Sequence, residues 1–223
     1  MLIRTVVAPL LGTNCYLVPD GSGCVVVDPG AGAAEGVRRE VAAGGLRPVA
    51  VLLTHGHADH TWDAAEVSDE YGVPVLVYEA DAYRLADPLG SLGPLGAQLA
   101  AAAGAAAGPP APARLETFRV PADGPAPVVD GLLGLHAPGH TEGSTVYLVP
   151  VPDGGAPVLL TGDVLFAGTI GRCDLPGGDE GAMAATLRRL SRLDPASTIL
   201  PGHGPGSTVA DELSANPYLR AGR

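Results

Sequence analysis

The stretch Val49–His60, Val-Ala-Val-Leu-Leu-Thr-His-Gly-His-Ala-Asp-His, constrains this chain more than any other. Its apolar run stops abruptly at Thr54, and His55, His57, Asp59 and His60 follow at once. A short apolar run bounded by polar residues reads as a buried strand. The polar cluster then falls on the loop leaving the C-terminal end of that strand, where open α/β sheets place their ligand sites. Three of the chain's six histidines lie in this one motif. Histidines that only fill a core or dot a surface do not gather so densely. The stretch reads as half of a metal site.

At 223 residues the chain fits one domain spanning 1–223, or two tightly fused halves. With 46% hydrophobic residues it can bury a substantial core, which excludes a disordered chain or a disulfide-stapled miniprotein. Aromatics are only 4%, so Val, Leu and Ala must fill that core. Lysine is absent, and a net charge of −11 argues against nucleic acid. The basic clusters Arg38–Arg39 and Arg188–Arg192 lie in patterns of exposed helix faces. Cys15, Cys24 and Cys173 are odd in number and widely spaced, a pattern of a reducing compartment. No apolar stretch follows Arg4 as in a secretory signal, and none reaches the length of a membrane span. The expectation is a cytoplasmic protein acting on a small molecule, with no nucleic-acid or membrane partner.

Further strands end in polar residues. Ile3–Ala8 and Thr13–Val18 flank a turn, and the sequence Asp20-Gly21-Ser22-Gly23 signals a hairpin into Cys24–Val27. That strand stops at Asp28-Pro29-Gly30. Asp28 suits the turn itself, and equally a carboxylate that orients a metal-bound histidine. Helices are expected over Ala33–Ala43, Trp62–Tyr71 and Ala80–Ala86, with a strand at Val75–Tyr78. Strand and helix in alternation argue for an α/β layer arrangement. Residues 87–116, rich in Ala, Gly and Pro, read as an insertion or flap, with part of Leu95–Ala107 helical. Beyond it, Gly131–Leu135 leads to His136-Ala137-Pro138-Gly139-His140-Thr141, Val158–Leu160 to Thr161-Gly162-Asp163, and Thr198–Leu200 to Pro201-Gly202-His203. Thr145–Val149 is a further strand.

The donors collected this way are His55, His57, Asp59, His60, His140, Asp163 and His203. They exceed what one tetrahedral zinc can use and suit two adjacent divalent ions. We assign His55, His57 and His140 to one ion, Asp59, His60 and His203 to the other, and Asp163 as the bridge. His136 falls outside the set. With no cysteine among the donors, zinc, iron and manganese all fit.

In this order, His-x-His-x-Asp-His, Gly-His-Thr, Gly-Asp and Gly-His resemble the metallo-β-lactamase superfamily over nearly the whole chain. Within it, Gly171-Arg172-Cys173-Asp174-Leu175-Pro176-Gly177-Gly178-Asp179 and Asn216-Pro217-Tyr218-Leu219 resemble the short bacterial form of glyoxalase II-type hydrolases. The resemblance implies an αββα sandwich, two mixed sheets face to face with helices outside. It also implies hydrolysis of a thioester such as an S-(2-hydroxyacyl)glutathione, or of an analogous low-molecular-weight thiol ester. Glu142 stands where proline is usual and Cys173 where serine or threonine is common. The glutathione-binding C-terminal region of the long form is not expected in this chain, which puts glutathione as the thiol in question.

Two cations would lower the pKa of a shared water from about 15.7 toward about 7, and attack of a metal-bridging hydroxide on the carbonyl is the expected chemistry. Asp59 is expected to orient this nucleophile while acting as a ligand. A thioester suits such a site, because a thiol of pKa about 8.5 departs without a proton donor. Arg172 lies where the long form has a substrate-contacting lysine, and is expected to anchor the substrate or to pair with Asp174 or Asp179. Iron-dependent persulfide dioxygenation and lactone hydrolysis are the alternatives on the same scaffold.

Overall fold

The computed structural model describes residues 2–20, 23–104, 108–129 and 131–221. The centre of the expected hairpin turn, Gly21-Ser22, and the end of the expected helix, residues 105–107, lie outside the described residues. The chain divides into two compact units, Met1–Phe118 and Arg119–Arg223.

The N-terminal unit is built on a mixed six-stranded sheet in the order β1 (Arg4–Val7), β2 (Asn14–Asp20), β3 (Gly23–Val27), β4 (Pro48–Leu52), β5 (Val75–Tyr78), β6 (Leu115–Phe118). The pairs β1–β2 and β2–β3 are antiparallel, and β3 through β6 run parallel. Helix α1 (Ala34–Gly44) crosses between β3 and β4, while α2 (Ala58–Thr61) and α3 (Ala64–Tyr71) cross between β4 and β5. The short α4 (Ala82–Ala86) and α5 (Pro94–Ala102) precede β6. Every residue of β3, which lies between antiparallel β2 and parallel β4, is buried. The core joins Leu17, Val26, Val51, Leu53 and Val75 of the sheet region to Val37 and Val41 of α1 and Ala64 and Val67 of α3. On the outer face Arg38 of α1 pairs with Glu35, Glu66 and Glu70, tying α1 to α3. These pairs are solvent-exposed and contribute little stability each, about 0–1 kcal/mol.

The C-terminal unit holds a second mixed sheet, in the order β14-β13-β10-β9-β8-β7. Its strands are β7 (Ala126–Val129), β8 (Leu132–His136), β9 (Thr145–Val149), β10 (Val158–Gly162), β13 (Thr198–Pro201) and β14 (Ser207–Thr208). Between β10 and β13 come the small hairpin β11 (Leu165–Phe166) and β12 (Thr169–Ile170), then helix α6 (Glu180–Leu190). Helices α7 (Val209–Ala215) and α8 (Pro217–Ala221) follow β14. Only β10–β13 is parallel. Leu135, Val146, Leu148, Leu159 and Ile199 of the strands bury against Met183, Leu187 and Leu190 of α6 and Leu219 of α8.

Most sequence-derived elements appear within a residue or two of their expected bounds. One differs where it matters: Asp59 and His60, expected on a loop, sit on the single turn of α2. His57 takes the extended N-cap conformation (φ −69°, ψ 144°), so the chain turns into helix directly after it. Asp59 then occupies the first turn, where the helix dipole favours an acid. The segment expected to be an insertion contains α5 and leads into β6, the edge of the first sheet. Among the described residues no helix is long and apolar enough to cross a membrane.

Candidate metal-binding site

In the N-terminal unit β4 carries the chain to Thr54, and His55, His57 and His60 are all buried, exposed by 3% or less. The polar stop at Thr54 is a junction. Asp28, at the end of β3, accepts the Thr54 backbone N–H at 2.7 Å and the Thr54 hydroxyl proton at 2.6 Å. His60 Nδ1 lies 3.0 Å from the same carboxylate. Because the hydroxyl proton goes to Asp28, the Thr54 oxygen is left to accept from His55 Nδ1, 3.1 Å away. One buried carboxylate thereby sets the tautomer of two imidazoles, and both present an Nε2 lone pair. His55 Nε2 is 3.1 Å from His57 Nδ1, and His60 Nε2 is 3.6 Å from Asp59 Oδ2. Asp28 has φ 51°, in the left-handed region where Asp and Asn are tolerated better than bulkier residues.

In the C-terminal unit the loop after β8 delivers His140, and α6 with its N-cap residue Asp179 holds the 136–139 backbone by three hydrogen bonds. Arg189 Nη1 donates to His136 O, Thr186 Oγ1 to Pro138 O, and Asp179 N to Gly139 O, each at 2.8 Å. Gly139 is required here: its φ is 144°, and a Cβ would stand 2.5 Å from Met183 Cα. His140 Nδ1 donates to the backbone carbonyl of Arg172 at 2.8 Å, which again directs Nε2 outward. The ends of β10 and β13 are joined by Gly202 N–H donating to Gly162 O at 2.8 Å. That link sets Asp163 beside His203. Asp163 Oδ2 lies 3.8 Å from His140 Nε2 and 3.7 Å from His203 Nε2.

These separations have a common meaning. Donors about 2.1 Å from one tetrahedral ion stand roughly 3.4 Å apart. Asp163 with His140, Asp163 with His203, and Asp59 with His60 are all spaced near that value and beyond a good hydrogen bond. Nitrogen and oxygen donors so spaced fit divalent cations. The chain's candidate His/Asp metal ligands are thus His55, His57, Asp59, His60, His140, Asp163 and His203.

Other residues expected near the site have separate placements. Arg172 offers its carbonyl to His140, while its guanidinium is 51% exposed and forms a bidentate pair with Asp174 at 2.7 and 2.8 Å. The arginine holds the Asp174 carboxyl down at about 2. His136 Nε2 bonds the Glu142 carbonyl at 2.8 Å. Cys173 is half-buried, its thiol pushed up by desolvation and by Glu180, Asp174 and Asp179. Thr54 was visible as the polar stop of its strand, whereas nothing in the spacing of Asp179, Thr186 and Arg189 signals a clamp on a distant loop.

Residues 8–203 match the metallo-beta-lactamase superfamily. An uncharacterized protein of Mycobacterium tuberculosis is 40% identical over 98% of this chain and 98% of its own. The probable metallo-hydrolase YqgX of Bacillus subtilis is 32% identical, over 97% of this chain and 96% of its own. The hydroxyacylglutathione hydrolase GloC of Haemophilus influenzae is 30% identical over 93% of each chain. Among solved structures, the BLEG-1 B3 metallo-beta-lactamase superposes with a TM-score of 0.82 at 29% identity, covering 98% of this chain and 99% of its own. TTHA1623 in a di-iron-bound form gives 0.79 at 33%, covering 98% and 100%.

Proposed function

This chain belongs to the metallo-β-lactamase superfamily, and we propose that it is a metal-dependent hydrolase of small-molecule thioesters. An S-(2-hydroxyacyl)glutathione, or the ester of an analogous low-molecular-weight thiol, is the proposed substrate class. The observation that carries the thioester reading is the likeness to GloC, a hydroxyacylglutathione hydrolase, over 93% of both chains. The metal reading rests on the seven-donor set.

We assign two divalent ions, with His55, His57 and His140 for one, Asp59, His60 and His203 for the other, and Asp163 shared. Zinc suits the nitrogen and oxygen donors, and the di-iron form of TTHA1623 makes iron the second choice. Bound there, such ions supply Lewis acidity and lower the pKa of a water. The protein's part is orientation. Asp28 and Thr54 hold His55 and His60 in the ligating tautomer, and the Arg172 carbonyl does so for His140. Asp59, 23% exposed, orients the attacking water, and its backbone carbonyl is fixed by the Thr13 hydroxyl at 3.0 Å. The departing thiolate needs no proton donor, which matches a donor set without a separate acid. Arg172 is the proposed anchor for a carboxylate on the substrate, in exchange for its pairing with Asp174.

A second reading, β-lactam hydrolysis, draws on the likeness to the BLEG-1 enzyme. Steady-state assays on metal-analysed protein decide between them, using S-lactoylglutathione, simpler acyl thioesters, a lactone and a cephalosporin. Thioesters are expected to give the highest kcat/KM. A cephalosporin or lactone turned over faster than every thioester would replace the proposed reading. Oxygen uptake on a glutathione persulfide by an iron-loaded sample would replace hydrolysis altogether.

A further inference from the structure

Behind the ligand loop of the N-terminal unit lies a buried ion pair that the proposed chemistry does not use. Asp81 and Arg84 are both 0% exposed, and Arg84 heads the fully buried side chains by size. Arg84 Nε donates to Asp81 Oδ1 at 3.3 Å. The other carboxylate oxygen, Asp81 Oδ2, accepts the backbone N–H of Gly56 at 2.7 Å. Gly56 separates His55 from His57. It also touches the pair directly, since a Cβ there would stand 2.8 Å from Arg84 Cβ and 2.9 Å from the Asp81 carbonyl oxygen. The Arg84 guanidinium reaches on to the Ser91 carbonyl at 3.5 Å and lies 4.9 Å from the Tyr83 ring centre.

A carboxylate taken wholly out of water is costly unless it is paired and hydrogen-bonded. A core that needed only to fill this volume would do as well with apolar residues. What an apolar side chain cannot do is accept the Gly56 N–H. We infer that Asp81, charge-balanced by Arg84, is a positioning residue for His55 and His57. Its carboxylate fixes the peptide plane between them, and the wall made by residues 81 and 84 fixes the Gly56 Cα. Arg84 neutralises Asp81, so the pair sets the angle of the two imidazoles without adding net charge beside the cations. This inference rests on the reading of His55 and His57 as metal ligands.

The test uses the full-length protein stripped of metal, titrated with zinc against a chromophoric chelator and with cobalt(II) followed by its visible absorption. Two double variants avoid an orphaned buried charge. Asp81→Asn with Arg84→Gln keeps a hydrogen-bond acceptor for Gly56, while Asp81→Leu with Arg84→Met fills the space without one. The polar pair is expected to bind zinc within a few-fold of wild type, with an unaltered cobalt spectrum. The apolar pair should lose about 10–100-fold in zinc affinity, the usual cost of losing a group that supports a ligand, with a shifted cobalt spectrum. Wild-type affinity and spectrum in the folded apolar pair would overturn the inference. Should that variant not fold, Asp81→Ala with Arg84→Gln, which removes the Gly56 acceptor without leaving a buried charge, decides: a shifted cobalt band supports positioning, and a wild-type band overturns it. A wild type that takes up neither ion would refute the metal reading itself, so the two failures are distinguishable.

Discussion

At the scale of single residues, Asp28 holds the greatest leverage. It terminates β3 with φ 51° and serves Thr54 and His60 at once. Asn tolerates the same left-handed backbone, so Asp28→Asn should fold. Its amide lacks the charge that draws the His60 Nδ1 proton and, through Thr54, sets His55. Zinc affinity in a chelator competition is therefore expected to fall by about 10–100-fold; an unchanged affinity would separate Asp28 from the ligands. Asp63 makes a different, pH-dependent statement. Its carboxylate accepts the Ala34 N–H at 2.8 Å at the start of α1, yet desolvation outweighs those hydrogen bonds and raises its pKa above 3.8. A folded pKa above the unfolded one means stability present at low pH and lost as pH rises through the folded value. Denaturant melts of Asp63→Asn and wild type, both metal-free, should show the difference moving in the variant's favour as pH rises through the titration of the raised carboxyl. A difference that stays flat or moves the other way would count against the raised pKa.

At the scale of elements, α6 is the scaffold of the second donor cluster. Its three donors to the 136–139 backbone require Gly139 to lie against the helix at Met183. Gly139→Ala adds both a left-handed φ penalty, about 1–3 kcal/mol, and a clash with helix backbone. The expected outcome is a loss of several kcal/mol in urea melts, and a cost under about 1 kcal/mol would show that the helix yields easily. The legible parts of the fold were those whose signal is local. The Val49–Leu53 run, the stops at Thr54 and Asp28, and the glycines beside His140, Asp163 and His203 all announce themselves within a few residues. The turn of α2 under Asp59 and His60 did not, because a four-residue helix carries no periodicity. Nor did the Asp81–Arg84 pair, since Asp and Arg three apart on a short helix look like an exposed face. Its hydrogen-bond partner is Gly56, 25 residues earlier in the chain, beyond the reach of any local pattern.

At the scale of the whole molecule, the donors divide between the units: His55, His57, Asp59 and His60 in Met1–Phe118, and His140, Asp163 and His203 in Arg119–Arg223. Each cluster gathers nitrogen and oxygen atoms that, without cations, leave carboxylates and imidazoles close together in partly or wholly buried surroundings. Cation binding to the folded state alone must then stabilise it by mass action. At free zinc about 100-fold above its dissociation constant, each ion contributes about 2.7 kcal/mol. For a chain of this length 1 kcal/mol moves Tm by about 2–4 °C, so two ions should raise it by about 10–20 °C. Calorimetry of chelator-treated and zinc-reconstituted protein measures this directly. Asp163→Ala, which removes the donor assigned to both ions, should keep less than half of that shift and bind at most one equivalent. Equal melting temperatures with and without zinc would remove the two-ion assignment. A full shift in Asp163→Ala would instead remove only its bridging role, leaving the ions to the remaining six donors.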